Sequence, residues 1–124
     1  MDDFPSISAD AIRLVRQRIR WKPGKAREHL EKRIRLGHLA PDTTIDEYES
    51  VIAEVVSDPR ADVFVFVFDD DPYPTVVAGV AGQRWLVMFD WDGIMETAFP
   101  PDDADEYLAD PQFVRLGIAE DILR

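Results

Sequence analysis

Val63-Phe64-Val65-Phe66-Val67-Phe68 alternates two apolar residue types with a period of two, so an extended chain sends the valines to one face and the phenylalanines to the other. A strand that is apolar on both faces has to be covered on both, which places it at the centre of a sheet. Beyond it, Asp69-Asp70-Asp71-Pro72-Tyr73-Pro74 reads as a loop. Thr75–Val80, Arg84–Phe89 and Ile94–Phe99 read as three further strands, joined at Gly82 and at the Asp92-Gly93 hairpin signal. The expectation is a four-stranded antiparallel meander spanning residues 62–99.

Before this stretch the apolar period is that of a helix. A first helix is expected from Ser8 or Asp10 to Arg20, carrying Ile12, Val15 and Ile19, and ended by Trp21-Lys22-Pro23-Gly24. A second runs from Lys25 to Leu36 with Ala26, Leu30 and Ile34 on one stripe and His29, Lys32 and Arg33 on the next, and stops at Gly37. Thr44 and Glu47 form a capping box for a third, whose face is Tyr48, Val51, Ile52 and Val55 and whose end is Asp58-Pro59. After Pro100-Pro101 a short acidic helix to Ala109 is expected, then one capped by Asp110 with Pro111 at its first position, carrying Phe113, Leu116 and Ile122. These would cover the sheet face that the first helices leave open. With no repeat and no linker, residues 1–124 read as a single α+β domain: helices over 9–58, sheet over 62–99, acidic helical tail over 101–124.

The net charge of −11 is unevenly spread. Residues 1–40 hold ten Lys/Arg against five acids, a net of +5, and residues 41–124 hold four against twenty, a net of −16. Such segregation points to a charged partner, or to one half neutralising the other. No cysteine is present, which excludes disulfides, thiolate metal sites and a cysteine nucleophile. The opening Met1-Asp2-Asp3-Phe4-Pro5 has no basic region leading into an apolar one, and no apolar run approaches the roughly 20 residues of a membrane span. A cytoplasmic protein that does not enter membranes is expected.

The sequence has no glycine-rich phosphate loop followed by a helix and no Gly-x-Ser-x-Gly elbow. Asp69–Asp71, Asp90 and Asp92 have the oxygens a hard cation wants, yet aspartate is also the common turn and cap residue, and that explanation covers each of them. No metal and no cofactor are therefore expected. What remains is His29, Lys32, Arg33, His38 and Thr97. A helix carrying Glu28-His29-Leu30-Glu31-Lys32-Arg33-Ile34, a third helix ending in Asp58-Pro59, and a meander closing on Thr97-Ala98-Phe99-Pro100 resembles the barnase, EndoU, colicin and RelE superfamily of nucleases. The likeness covers residues 25–101 and is strongest to the small branch found in phages and polymorphic toxins.

The resemblance implies metal-independent cleavage of RNA, in which a 2′-hydroxyl attacks the adjacent phosphate. That chemistry needs a group titrating near neutrality, cations for the phosphorane charge and a donor to orient the phosphate. His29 is the first candidate for moving the proton, with His38 or Tyr73 as a second acid. Lys32 and Arg33 supply charge, Thr97 a hydrogen bond, and Lys25 and Arg27 the surrounding substrate contacts. Three readings follow: a ribonuclease-like domain binding RNA through its basic half, inactive or held off by its acidic tail; an acidic, immunity-type protein binding a basic partner; and a scaffold that self-associates through Trp91 or Tyr73.

Overall fold

A computed structural model describes residues 3–124; Met1 and Asp2, at the start of the segment read above for targeting signals, lie outside the described residues. Three helices, α1 (Phe4–Gln17), α2 (Lys25–Arg35) and α3 (Ile45–Ser57), precede strands β1 (Asp62–Phe68), β2 (Asp71–Val80), β3 (Gln83–Phe89) and β4 (Met95–Phe99). A short α4 (Ala104–Leu108), β5 (Phe113–Ile118) and α5 (Ala119–Ile122) close the chain. The fold is α+β, and the sheet is antiparallel throughout in the order β4-β3-β2-β1-β5. Among the described residues no helix is long and apolar enough to cross a membrane.

The alternation in β1 works as its residue types require. Val63 joins Val76, Ala78, Trp85, Val87 and Ala98 in a core shared with Ile12, Val15, Leu30, Tyr48 and Ile52 of the three helices. Phe64 and Phe66 join Val77, Leu86, Met88, Phe99, Leu108 and Phe113 in a second cluster on the opposite face. The Thr44–Glu47 capping box is present, each side chain meeting the other residue's backbone N–H. Tyr48 is wholly buried, and its hydroxyl donates to the Ala98 carbonyl at 2.7 Å, tying α3 to β4. Tyr48→Phe leaves that carbonyl without its side-chain donor, so chemical denaturation should show a loss of about 1–3 kcal/mol.

Four expectations are corrected. The sheet has five strands, because the segment expected to be the last helix is β5, paired antiparallel with β1 from Phe66↔Phe113 to Asp62↔Ile118. Phe113 and Leu116 do stand at a helical spacing and Ile122 does lie in a helix, the short α5, but β1 has a free edge on the side away from β2, and residues 113–118 extend to pair with it. Asp110 accepts from Gln112 N–H in a local turn and caps no helix. The tail over 101–124 is thus part of the sheet as well as helical. Second, α1 begins at Phe4, with Pro5 in its first turn, where a missing N–H costs nothing. It stops at Gln17, and residues 18–20 extend so that Arg20 can bridge Ile94 beside β4.

Third, only Asp69 and Asp70 form the β1–β2 turn, both at positive φ (51° and 66°), and Asp71–Pro74 belong to β2. Pro72 and Pro74 sit where β2 has run past its ladder with β3, so their lack of an N–H can fall on an unpaired edge. Fourth, Trp91 is not a free contact: it is half-buried and stacks on Phe4, ring centroids 6.1 Å apart. The neighbouring turn requires glycine. Gly93 has φ +77°, and a Cβ there would stand 3.0 Å from that of Leu14.

Candidate functional site

The last turn of α2 is basic, with Lys32, Arg33 and Arg35 near a helix end that favours positive charge. Gly37, at φ +76°, then reverses the chain, and His38 folds back with its backbone N–H donating to the Arg33 carbonyl at 2.9 Å. Placed against this turn is β4, the edge strand of the sheet. Thr97 and Phe99 alternate onto its outer face, opposite Met88 and Leu86 of β3. The Pro100-Pro101-Asp102 segment and Tyr107 of α4 complete a groove of about 480 Å³ in which Lys32, Arg33, His38 and Thr97 come together.

Arg33 is the unusual residue in this groove. It is 3% exposed, its Nε and Nη1 have no hydrogen-bond partner, and no carboxylate pairs with it among the described residues. Its one evident compensation is the Phe99 ring, whose centroid lies 5.3 Å from the guanidinium carbon. Burial lowers its pKa, the nearby Tyr48 works the other way, and Arg35 lowers it further. A buried guanidinium with unmet donors destabilises a fold. Such donors suit an oxyanion, which accepts charge-assisted hydrogen bonds from a guanidinium.

His38 supplies a titratable group at the same place. Its Nδ1 is buried without a partner. Burial first and the Arg33 charge second push its pKa below the ordinary 6.5, while Asp102 opposes them. The imidazole is therefore mainly neutral at neutral pH and available as a base. His29 stands outside the groove. It lies one turn earlier on α2, its ring centroid 5.3 Å from that of Trp21, with Nδ1 buried and partnerless. Burial, then Arg33, lowers its pKa too. Tyr73 is on β2 opposite Phe66, in the second cluster, with its phenol pKa raised by burial and by Glu96 and other acids. Lys25 pairs with Glu28 at 3.3 Å on the surface, and Arg27 is exposed; neither lines the groove.

The two charged halves do not neutralise each other by ion pairs. Among the described residues every ion pair joins groups within residues 3–40 or within residues 41–124. All four bases of the acidic half are used there; Arg84 alone reaches both Asp105 of α4 (2.6 Å) and Asp62 of β1 (3.7 Å). Of the carboxylates considered for a cation, Asp90 caps backbone. Asp90 accepts from Asp92 and Ile94 N–H, both at 2.9 Å, and among the described residues no three His, Asp or Glu group as metal ligands.

Phe99, Asp102 and Tyr107 are groove residues to which sequence reasoning gave no role. Phe99 was within reach of it, since it shares a strand face with Thr97, two residues away. Tyr107 was not, because nothing local shows which face of the sheet a five-residue helix will cover.

No family model matches this chain, and neither does any curated protein or solved structure.

Proposed function

We propose that this chain is a ribonuclease-like domain that holds an RNA phosphate in the groove between α2 and β4. The observation carrying the reading is Arg33: a buried, unpaired guanidinium lining a groove that Lys32, His38 and Thr97 also line. The order of His29, Lys32-Arg33 and Thr97-Ala98-Phe99-Pro100 along the chain, as in the superfamily it resembles, supports the same reading. In this chemistry neutral His38 takes the proton of the attacking 2′-hydroxyl, Arg33 and Lys32 stabilise the phosphorane charge, and Thr97 donates to a phosphate oxygen. The departing 5′-oxygen must take up a proton for the step to close, and the imidazolium so formed is the donor that the groove lining itself supplies. Proton transfer moves here from His29 to His38, which lines the groove as His29 does not.

The test is incubation of the folded 124-residue chain with tRNA and mixed RNA in EDTA. Cleavage is expected, falling about 10²–10⁴-fold in His38→Ala and far less in His29→Ala. Because the base acts when neutral and its pKa is lowered, kcat/KM should rise with pH along an acid limb centred below 6.5. Intact RNA after incubation with folded protein sinks the proposal.

A second reading, the acidic partner of a basic protein, is favoured by the carboxylates Asp102, Asp103, Glu106 and Asp110 around a cavity of about 840 Å³. It predicts capture of a basic polypeptide and no RNA cleavage.

A further inference from the structure

We infer that the large cavity beside the Arg33 groove is a nucleobase subsite, so that the two together take one nucleotide with a preference for amino-bearing bases over uracil. The inference rests on the phosphate site proposed above. The cavities adjoin: Phe99, Pro101, Asp102 and Tyr107 line both, so a ligand with its phosphate on Arg33 has its next rigid group at the larger space.

That space has the chemistry of a base site. Its walls carry the rings of Phe66, Phe99, Tyr107 and Phe113, and Tyr107 is 42% exposed although its ring packs on Phe99 (5.4 Å) and Phe113 (5.6 Å). An accessible ring held rigid by two others is a stacking platform, and stacking accepts any base. Discrimination comes from the rim. Asp102 and Glu106 make no side-chain hydrogen bond or ion pair among the described residues. An ionised carboxylate only accepts. It therefore favours the exocyclic amino groups of adenine, guanine and cytosine over uracil, whose single N3–H donor stands between two carbonyls that repel the carboxylate. Acid beside a cationic groove would deter a polyanion in general, but it suits a ligand that is anionic at one end and rich in donors at the other.

The experiment is calorimetric titration of the full chain with inorganic phosphate, 3′-AMP, 3′-CMP and 3′-UMP, and with an arginine-rich peptide. AMP and CMP should bind about tenfold or more tighter than phosphate, with UMP between. Tyr107→Ala should weaken the nucleotides about tenfold or more and phosphate far less, bringing the nucleotides down to the affinity that phosphate then has. Glu106→Gln, at an exposed position, should keep the fold and relax the preference over UMP. Nucleotides no tighter than phosphate would overturn the base subsite and leave the phosphate site standing. Failure of phosphate and nucleotides alike overturns both. Peptide binding that depends on Tyr107, with no nucleotide binding, assigns the cavity to a basic protein instead.

Discussion

A chain cut after Pro101 should lose cooperative folding altogether. The cut removes β5, and with it the entire ladder on one side of the interior strand β1. It also removes Ala119, which is fully buried, together with Leu116, Ile122 and Leu123 from the main core and Leu108 and Phe113 from the second cluster. At about 1.5–3 kcal/mol for each fully buried large apolar side chain, less for partly buried ones, the loss reaches several kcal/mol. The whole stability of a domain this size is about 5–15 kcal/mol. Circular dichroism on heating should show a broad, non-cooperative change, and dispersion of the amide proton spectrum should collapse. A sharp transition near that of the intact chain would show that β5 is dispensable. The acidic tail is accordingly not a cover that can be cut away to look for inhibition. Its influence on the groove is better tested by Asp102→Asn, which leaves the sheet intact.

Arg33→Met should separate stability from function in opposite directions. Methionine keeps an unbranched apolar stem, though a shorter one, and removes the charge, the guanidinium's contact with Phe99 and the two unmet nitrogens. Relief of a buried unpaired polar group, offset by the lost cation–π contact, should raise the unfolding free energy by about 1–2 kcal/mol. Phosphate binding should vanish and RNA cleavage fall by about 10²–10³-fold, the scale of one lost transition-state donor. Equilibrium denaturation and the RNA assay on the same preparation read both. A variant that is destabilised would mean that Arg33 is a structural residue whose partners have been overlooked. One that is more stable and equally active would remove the groove from consideration. Residues that weaken a fold and are retained are what a binding site leaves behind.

The helical part of the chain was legible wherever the signal was local. The Thr44–Glu47 box, the glycine stop at Gly37 and the stripe through Leu30 depend only on residues a turn apart, and the structure has all three. The alternation of β1 likewise announces a strand buried on both faces. What it does not announce is which segment lies on its other side. Phe113-Val114-Arg115-Leu116-Gly117-Ile118 has apolar residues that fit a helix, and it is a strand because β1 offers it an unpaired edge. The same holds for the groove. Lys32 and Arg33 were visible as a basic helix end and Thr97 as a strand end. That His38 joins them while His29 turns to Trp21 depends on the reversal at Gly37 and on the packing of Trp21 against Tyr48.

From residues alone came the α+β class, the charge segregation, the positions of α2, α3 and the first four strands, and the four groove side chains Lys32, Arg33, His38 and Thr97 among the five catalytic candidates. Those features follow from periodicity, capping and composition, which act over a few residues. The fifth strand, the burial of an unpaired Arg33 and the joining of a cationic groove to an acidic, ring-walled cavity follow from contacts between segments distant in the chain, such as Arg33 with Phe99. Such contacts are selected by the free energy of the whole packed core, in which edge pairing and burial outweigh the preferences of any single segment.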